Sequence, residues 1–207
     1  MIASKMFRIG LRCLIGIAFL ALTFQKSTAQ CLRIETILVD SCDNSGDEGF
    51  NEMFSFVVGP APLNLSQMSV TWPSQSWQGL AQNSITATKV AALNTQIAGL
   101  GGCGQLIEPT GTIPANASVI VITSYNFSPS ANVFGALSHD VYILFQDNAT
   151  VTGGHFGNYN ANPGIRTLSV SFGGGCNVSV SYDRSLLVDA NGLPAAGNGA
   201  SVNFNAA

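Results

Sequence analysis

The sequence predicts an all-β chain, an antiparallel β-sandwich with one short helical insertion, and three observations predict it. Short runs rich in Val, Ile, Thr and Phe recur between clusters of Gly, Pro, Asn and Ser. Several of these runs alternate apolar and polar residues, the period of a half-buried strand. One segment, from Thr86 onward, has helical spacing instead. Many short strands separated by turn signals suit two packed antiparallel sheets.

In chain order, strands are expected near 32–39, 53–58, 67–71, 118–123, 140–145, 166–172, 177–182 and 201–204. Leu168, Val170 and Phe172 alternate with Thr167, Ser169 and Ser171, and Val178, Val180 and Tyr182 repeat the pattern. The glycines 173–175 between these two runs read as part of a hairpin connection. The runs 119–122 and 141–145 are apolar toward both faces, which suits central strands. Between the early and late strands, Val90, Leu93 and Ile97 share a helical face, and Ala87, Ala91 and Ala92 favour helix. Gly99, Gly101 and Gly102 then end a helix expected near 86–98.

Residues 1–30 read as a signal peptide. Lys5, Arg8 and Arg12 precede the apolar run 13–24, whose 12 residues fall short of the roughly 20 that span a bilayer. A polar stretch with small Thr28 and Ala29 comes next, and cleavage is expected after Gln30. No later run is long and apolar enough to span a membrane. The leader carries four of the eight cations, so residues 31–207 keep Arg33, Lys89, Arg166 and Arg184 against all 11 acids, a net charge of −7. Such a chain is a poor phosphate binder, which argues against nucleic acid as a partner. With 46% hydrophobic residues it is not a disordered tail.

Export leaves four cysteines, Cys31, Cys42, Cys103 and Cys176, and two disulfides are expected. A single strand over 32–39 would separate Cys31 from Cys42 by roughly 30 Å. A disulfide needs Cα atoms within about 7 Å. Cys31 and Cys42 are therefore each expected to pair with Cys103 or Cys176.

Catalytic motifs are thin. The two histidines, His139 and His155, sit in no HExxH pattern, no serine lies in Gly-x-Ser-x-Gly, and both histidines read as loop residues. The glycine clusters at 153–154 and 173–175 are followed by strands rather than by the helix that a phosphate cradle needs. No enzyme activity and no organic cofactor are expected. Trp72 and Trp77 could stack on sugar rings from a surface loop, or pin the helical insertion onto the sandwich, as large aromatics usually do. Asp40, Asp43, Asp47, Glu48 and Glu52 place five acids within 13 residues, with no Lys or Arg between Arg33 and Lys89. Oxygen ligands on a loop suit calcium rather than zinc. The alternative is a solvated, self-repelling loop.

The segment Asn51-Glu52-Met53-Phe54-Ser55-Phe56 followed by Ala61-Pro62-Leu63-Asn64-Leu65-Ser66 resembles the lamin-tail domain, whose pattern runs Asn-Glu, strand, turn, apolar residue, Asp/Asn-Leu-Ser. Ile113-Pro114-Ala115-Asn116-Ala117 before Val119 is similar to that family's Leu-Pro-Ala-Gly-Gly element, and Ser181-Tyr182-Asp183-Arg184 to its late Arg-bearing strand. The resemblance covers roughly 32–190 and implies an immunoglobulin-like sandwich. It brings no catalytic residues. Met68 stands where the pattern has Trp, Asn116 where it has Gly, and 72–111 reads as an insertion carrying the helix, dispensable for the sandwich. The opening Cys31-Leu32-Arg33-Ile34-Glu35 is similar to the start of secreted proteins of gliding-type bacteria, which often end in a sorting domain for type IX secretion.

The expected protein is a non-catalytic binding, adhesion or spacer module on the outer surface of a Gram-negative bacterium, part of a longer chain. Its partner would be a surface polysaccharide or protein. The rival expectation is a secreted hydrolase, or a carbohydrate-binding accessory domain of one.

Overall fold

The computed structural model of the chain describes residues 30–41, 47–157, 164–193 and 197–204. Apart from Gln30, the expected signal peptide lies outside them, as do Cys42 and Asp43. The elements run β1 (Leu32–Leu38), α1 (Glu48–Asn51), β2 (Met53–Val58), β3 (Leu63–Asn64), β4 (Ser69–Thr71), β5 (Leu80–Ala81), α2 (Ser84–Gly99), β6 (Leu106–Ile107) and β7 (Thr112–Ile113). They continue with β8 (Ser118–Ile122), β9 (Val141–Gln146), β10 (Ile165–Gly173), β11 (Cys176–Asp183) and β12 (Ser201–Asn203).

Alternation decides which face each strand buries. Phe54, Phe56 and Val58 of β2 point inward while Met53, Ser55 and Val57 do not, and Leu168, Val170 and Phe172 do the same for β10. The large sheet is ordered β12-β1-β2-β8-β9-β5, with β6 also paired to β9. A smaller sheet, β11-β10-β4, packs on one of its faces. Ile34, Phe56, Val119, Val121 and Leu144 of the large sheet meet Val70, Leu168, Val170 and Phe172 of the small one. Tyr182 closes this core, and β3 and β7 form a separate two-stranded ribbon.

Two features depart from an antiparallel sandwich. The large sheet is mixed: β8 and β9 are parallel, in register from Ser118↔Val141 to Ile122↔Phe145, and β6 is also parallel to β9. Parallel neighbours require a long crossover, here residues 123–140, and burial on both faces. The doubly apolar runs of β8 and β9 meet that second requirement. Val119, Val121 and Leu144 face the sandwich core, and Ile122, Ile143 and Phe145 face the opposite side.

The second departure lies in residues 72–111, which are built into the large sheet and its outer face. Their β5 and β6 extend the large sheet beyond β9. Their α2 lays Val90, Leu93 and Ile97 on Ile122, Ile143 and Phe145, forming a second core with Leu106 and Phe127. The fold is β-rich, two sheets packed around one core, with a helix over the outer face of the larger sheet. The N-terminus of α2 is set by a capping box: Asn83 accepts from the backbone N–H of Ile85 and Thr86, and the Thr86 hydroxyl accepts from the Asn83 N–H. Gly101, at φ +77°, takes the left-handed conformation just past the helix end.

Cys31 and Cys176 form a disulfide with Cα atoms 5.7 Å apart, tying the start of β1 in the large sheet to the start of β11 in the small one. The second expected bond does not run through Cys103. That cysteine is free and exposed, on the helix-covered side of the large sheet, beyond the end of α2.

Candidate functional site

The adjacent residues Asn51 and Glu52, at the junction of α1 and β2, serve two different environments. Both are buried, each about 1% exposed. The Asn51 side chain serves an open cleft, and the Glu52 side chain serves the core.

Glu52 Oε2 accepts the backbone N–H of His155 at 2.6 Å, and the Glu52 carbonyl accepts from Thr123 N–H and Oγ–H at 3.1 and 3.0 Å. His155 is fully buried, its ring edge-on to Trp72 with centroids 5.3 Å apart. Its Nε2 lies 3.0 Å from Gln146 Nε2. The Trp72 indole is a donor only, and it donates to Gln146 Oε1 at 2.8 Å. Gln146 must therefore turn its amide N–H groups to Thr123 O and to His155. His155 Nε2 is thereby an acceptor, and the imidazole proton sits on Nδ1, 3.5 Å from Glu52 Oε2. Burial pushes His155 down to about 4 and holds the Glu52 carboxyl well above its usual range, the backbone N–H groups of His155 and Phe156 opposing only part of that rise. Burial also raises the Tyr182 phenol, which donates to Phe156 O at 3.0 Å. Asn148 completes the network: its Oδ1 accepts from Thr150 and Val151 N–H while its Nδ2 donates to Thr123 O. Enclosed in this way, Glu52 and His155 cannot reach a substrate. They fasten the loop 148–157 to the sheet.

The cleft lies on the other side of α1. Gly49 N–H donates to Thr152 O at 2.9 Å, and a Cβ at Gly49 would stand 2.3 Å from Gly153 O, so only glycine lets the two segments touch. Asn51 Oδ1 accepts Ser128 N–H at 2.8 Å and its Nδ2 donates to Asp47 O at 3.3 Å. The Ser128 and Ser130 hydroxyls bond each other at 3.0 Å, and Asn126 Nδ2 donates to Ala149 O at 2.9 Å. These residues, with the half-buried Phe50 and exposed Asp47, line a cleft of about 410 Å³. A larger, more open cleft of about 840 Å³ lies between α2 and Cys103. Its walls are mainly Ala, Gly and Thr, and the carboxylate of its Asp140 is engaged by Gln105 N–H.

The residues singled out in the sequence are dispersed. Trp72 is a core residue, 5% exposed and surrounded by Phe54, Phe156 and His155, so it cannot stack on a sugar. Trp77 is half-buried against it, with ring centroids 6.3 Å apart. Of the five acids, Asp40 and Glu52 are buried, Glu48 is half-buried and Asp47 faces the cleft. Among the described residues no three His, Cys, Asp or Glu side chains converge to hold a metal ion. His139 is an exposed loop residue with Nε2 3.0 Å from Ser118 Oγ, but its Nδ1 meets the Ser138 hydroxyl rather than a carboxylate, so no triad forms there. His155 is in a loop as expected, yet wholly inside the protein. The sequence reading missed Phe50, Asn126, Ser128 and Ser130. The only local signal was the turn-rich stretch Asn126–Ser130, which carries no pattern of its own. Among the described residues no helix is long and apolar enough to cross a membrane.

Comparison with known proteins gives no match: no family model, no curated protein and no solved structure aligns significantly with the chain.

Proposed function

We propose that this chain is an exported, non-catalytic module of a bacterial surface protein that binds its partner through the cleft beside α1. The observation that carries the reading is the contrast between the two environments at Asn51 and Glu52. The buried titratable groups Glu52 and His155 are enclosed in the core, while the accessible cleft beside α1 carries hydroxyl and amide groups fixed by hydrogen bonds, the Phe50 ring and one carboxylate, Asp47. That division suits recognition without chemistry.

The lamin-tail, immunoglobulin-like reading is part of the proposal. Three particulars support it. The Asn-Glu step fastens two loops to the start of β2 through its side chains. Asn116, where the pattern has Gly, adopts φ +61°, a conformation that glycine and asparagine tolerate best. Met68 is buried in the sandwich core where the pattern has Trp. The disulfide suits an oxidising compartment outside the cytoplasm.

The full chain produced in a Gram-negative host tests the export. Mature protein beginning at Cys31, with Cys103 of a Cys42→Ser variant labelled on intact cells by a membrane-impermeant maleimide, is the expected result. Uncleaved protein confined to the cytoplasm overturns the reading.

A further inference from the structure

We infer that the cleft beside α1 is a binding site for an uncharged glycan, a deepening that rests on reading the chain as an exposed binding module. The volume, about 410 Å³, lies at the lower end of the range of roughly 300–1,000 Å³ for small-ligand sites, which suits one or two sugar rings rather than a macromolecular face.

The lining matches the two surfaces of a pyranose. The half-buried ring of Phe50 offers an apolar, polarisable face to the C–H side of a sugar. Around it stand groups suited to hydroxyls. The exposed Asp47 carboxylate accepts only, and a pair of adjacent sugar hydroxyls can donate to its two oxygens. Ser128 and Ser130, bonded to each other, retain further donor and acceptor capacity. Asn126 is held by its bond to Ala149 O, which fixes its amide orientation.

The site is also preorganised. The Asn51 bond to Ser128 N–H locks the wall 126–130 onto α1, and the contact of Gly49 with the Thr152–Gly153 carbonyls locks α1 onto the neighbouring loop. Much of the rotamer and loop entropy that a ligand would otherwise remove is lost already on folding.

Charge selects the class of sugar. Among the described residues Asp47 is the only charged one in the lining, and no cation joins it. With a chain carrying −7 beyond the expected leader, a uronate or sulfated sugar meets repulsion without compensation. A peptide is a poorer fit, since Phe50 and Ala131 are the only apolar side chains among the described lining residues.

The mature protein carrying Cys42→Ser, fluorescently labelled at Cys103 away from the cleft, applied to a printed array of neutral and anionic glycans tests the inference. The expected result is retention on at least one neutral glycan and none on its uronate or sulfated counterparts. Titration with the soluble form of that glycan should then show at least tenfold weaker binding for Asp47→Asn and for Phe50→Ala. Ser130→Ala, a surface change, serves as the milder variant if Phe50→Ala fails to fold, and should weaken binding severalfold. Retention on anionic glycans alone, no retention on any neutral glycan, or unchanged affinity in Asp47→Asn and Ser130→Ala overturns it. Those failures in a protein that is exported leave the surface-module reading standing. Failure of export removes that reading itself.

Discussion

The indole N–H of Trp72 donates to the amide oxygen of Gln146 at 2.8 Å, and that bond decides where the proton sits on His155. Each member of the chain from Trp72 through Gln146 to His155 has one acceptable orientation once the first is set. The arrangement accommodates a neutral imidazole and has no provision for a second proton on Nε2. Stability should therefore depend on pH through a residue that never meets solvent in the folded state.

For His155 the sign comes from linkage. The unfolded imidazole titrates near its ordinary 6.5 and the folded one at about 4. Between these values the unfolded state binds more protons, so stability is full above about pH 6.5 and falls as the pH drops toward 4. From pH 7 to pH 5 the loss is about 2 kcal/mol. The raised Glu52 carboxyl acts oppositely: the folded state holds that proton more firmly, so its contribution is present at low pH and lost as the pH rises. Comparing wild type with His155→Gln removes this common term to first order. Urea unfolding at the two pH values should show the variant gaining on wild type by about 2 kcal/mol at pH 5. Equal shifts in both proteins would refute the assignment.

Glu52 separates shape from charge. Glu52→Ala strips the acceptor from the buried His155 N–H and should cost about 1–3 kcal/mol for the orphaned donor, with a cavity cost in addition. Glu52→Gln keeps an acceptor and removes a carboxylate whose charging burial opposes. Its midpoint in urea should lie above that of Glu52→Ala at pH 7, and it should gain on wild type as the pH rises above the ordinary glutamate value of 4.5.

The helix belongs to the core. Leu93 is fully buried between α2 and the large sheet, and Leu93→Ala should cost about 2–5 kcal/mol. Replacing 74–102 by a short Gly/Ser linker bares Ile122, Ile143 and Phe145 and removes β5 from the sheet edge. Calorimetry of that variant should show no cooperative transition. A sharp transition would restore the reading of 72–111 as a dispensable insertion.

The cysteines should report their environments directly. Cys103 should react with maleimide in the folded, unreduced protein, whereas Cys31 and Cys176 should label only after reduction. Replacing Cys31 and Cys176 together by Ser should cost about 2–5 kcal/mol. Peptide mapping and thermal melting check the two halves.

Strand positions are legible in the sequence wherever burial is one-sided. The runs at 166–172 and 177–182 alternate cleanly, and the structure places β10 and β11 over them. The doubly apolar runs at 119–122 and 141–145 mark central strands but not their direction, because an apolar strand reads the same in parallel and antiparallel pairing. The spacing of Val90, Leu93 and Ile97 starts α2 two residues late, since the Asn83–Thr86 box carries no apolar signal. The polar network escapes entirely. Glu52, Gln146, Asn148 and His155 are residues whose usual place is the surface, and their partners lie as far as 103 positions away in sequence. The cleft escapes for the same reason: its walls at 47–51 and 126–131 meet only through tertiary contacts such as that of Asn51 with Ser128.

The Cys31–Cys176 bond also sets how the molecule would carry a pull. Tension applied at Cys31, the expected first residue of the mature chain, and leaving after Cys176 passes through the sulfur bridge and bypasses the intervening residues, β1 to β10, with a sequence separation of 145. The load path then holds only β11 and the chain beyond it. Its weakest member is β12, an edge strand matched to β1 over three residues, from Thr36↔Asn203 to Leu38↔Ser201. Under force, β12 would peel away and lengthen the tether while the cleft walls stayed slack. In a reduced protein β12 would still peel, but nothing would shunt the load past β1 to β10, and further stretching would reach the grip itself.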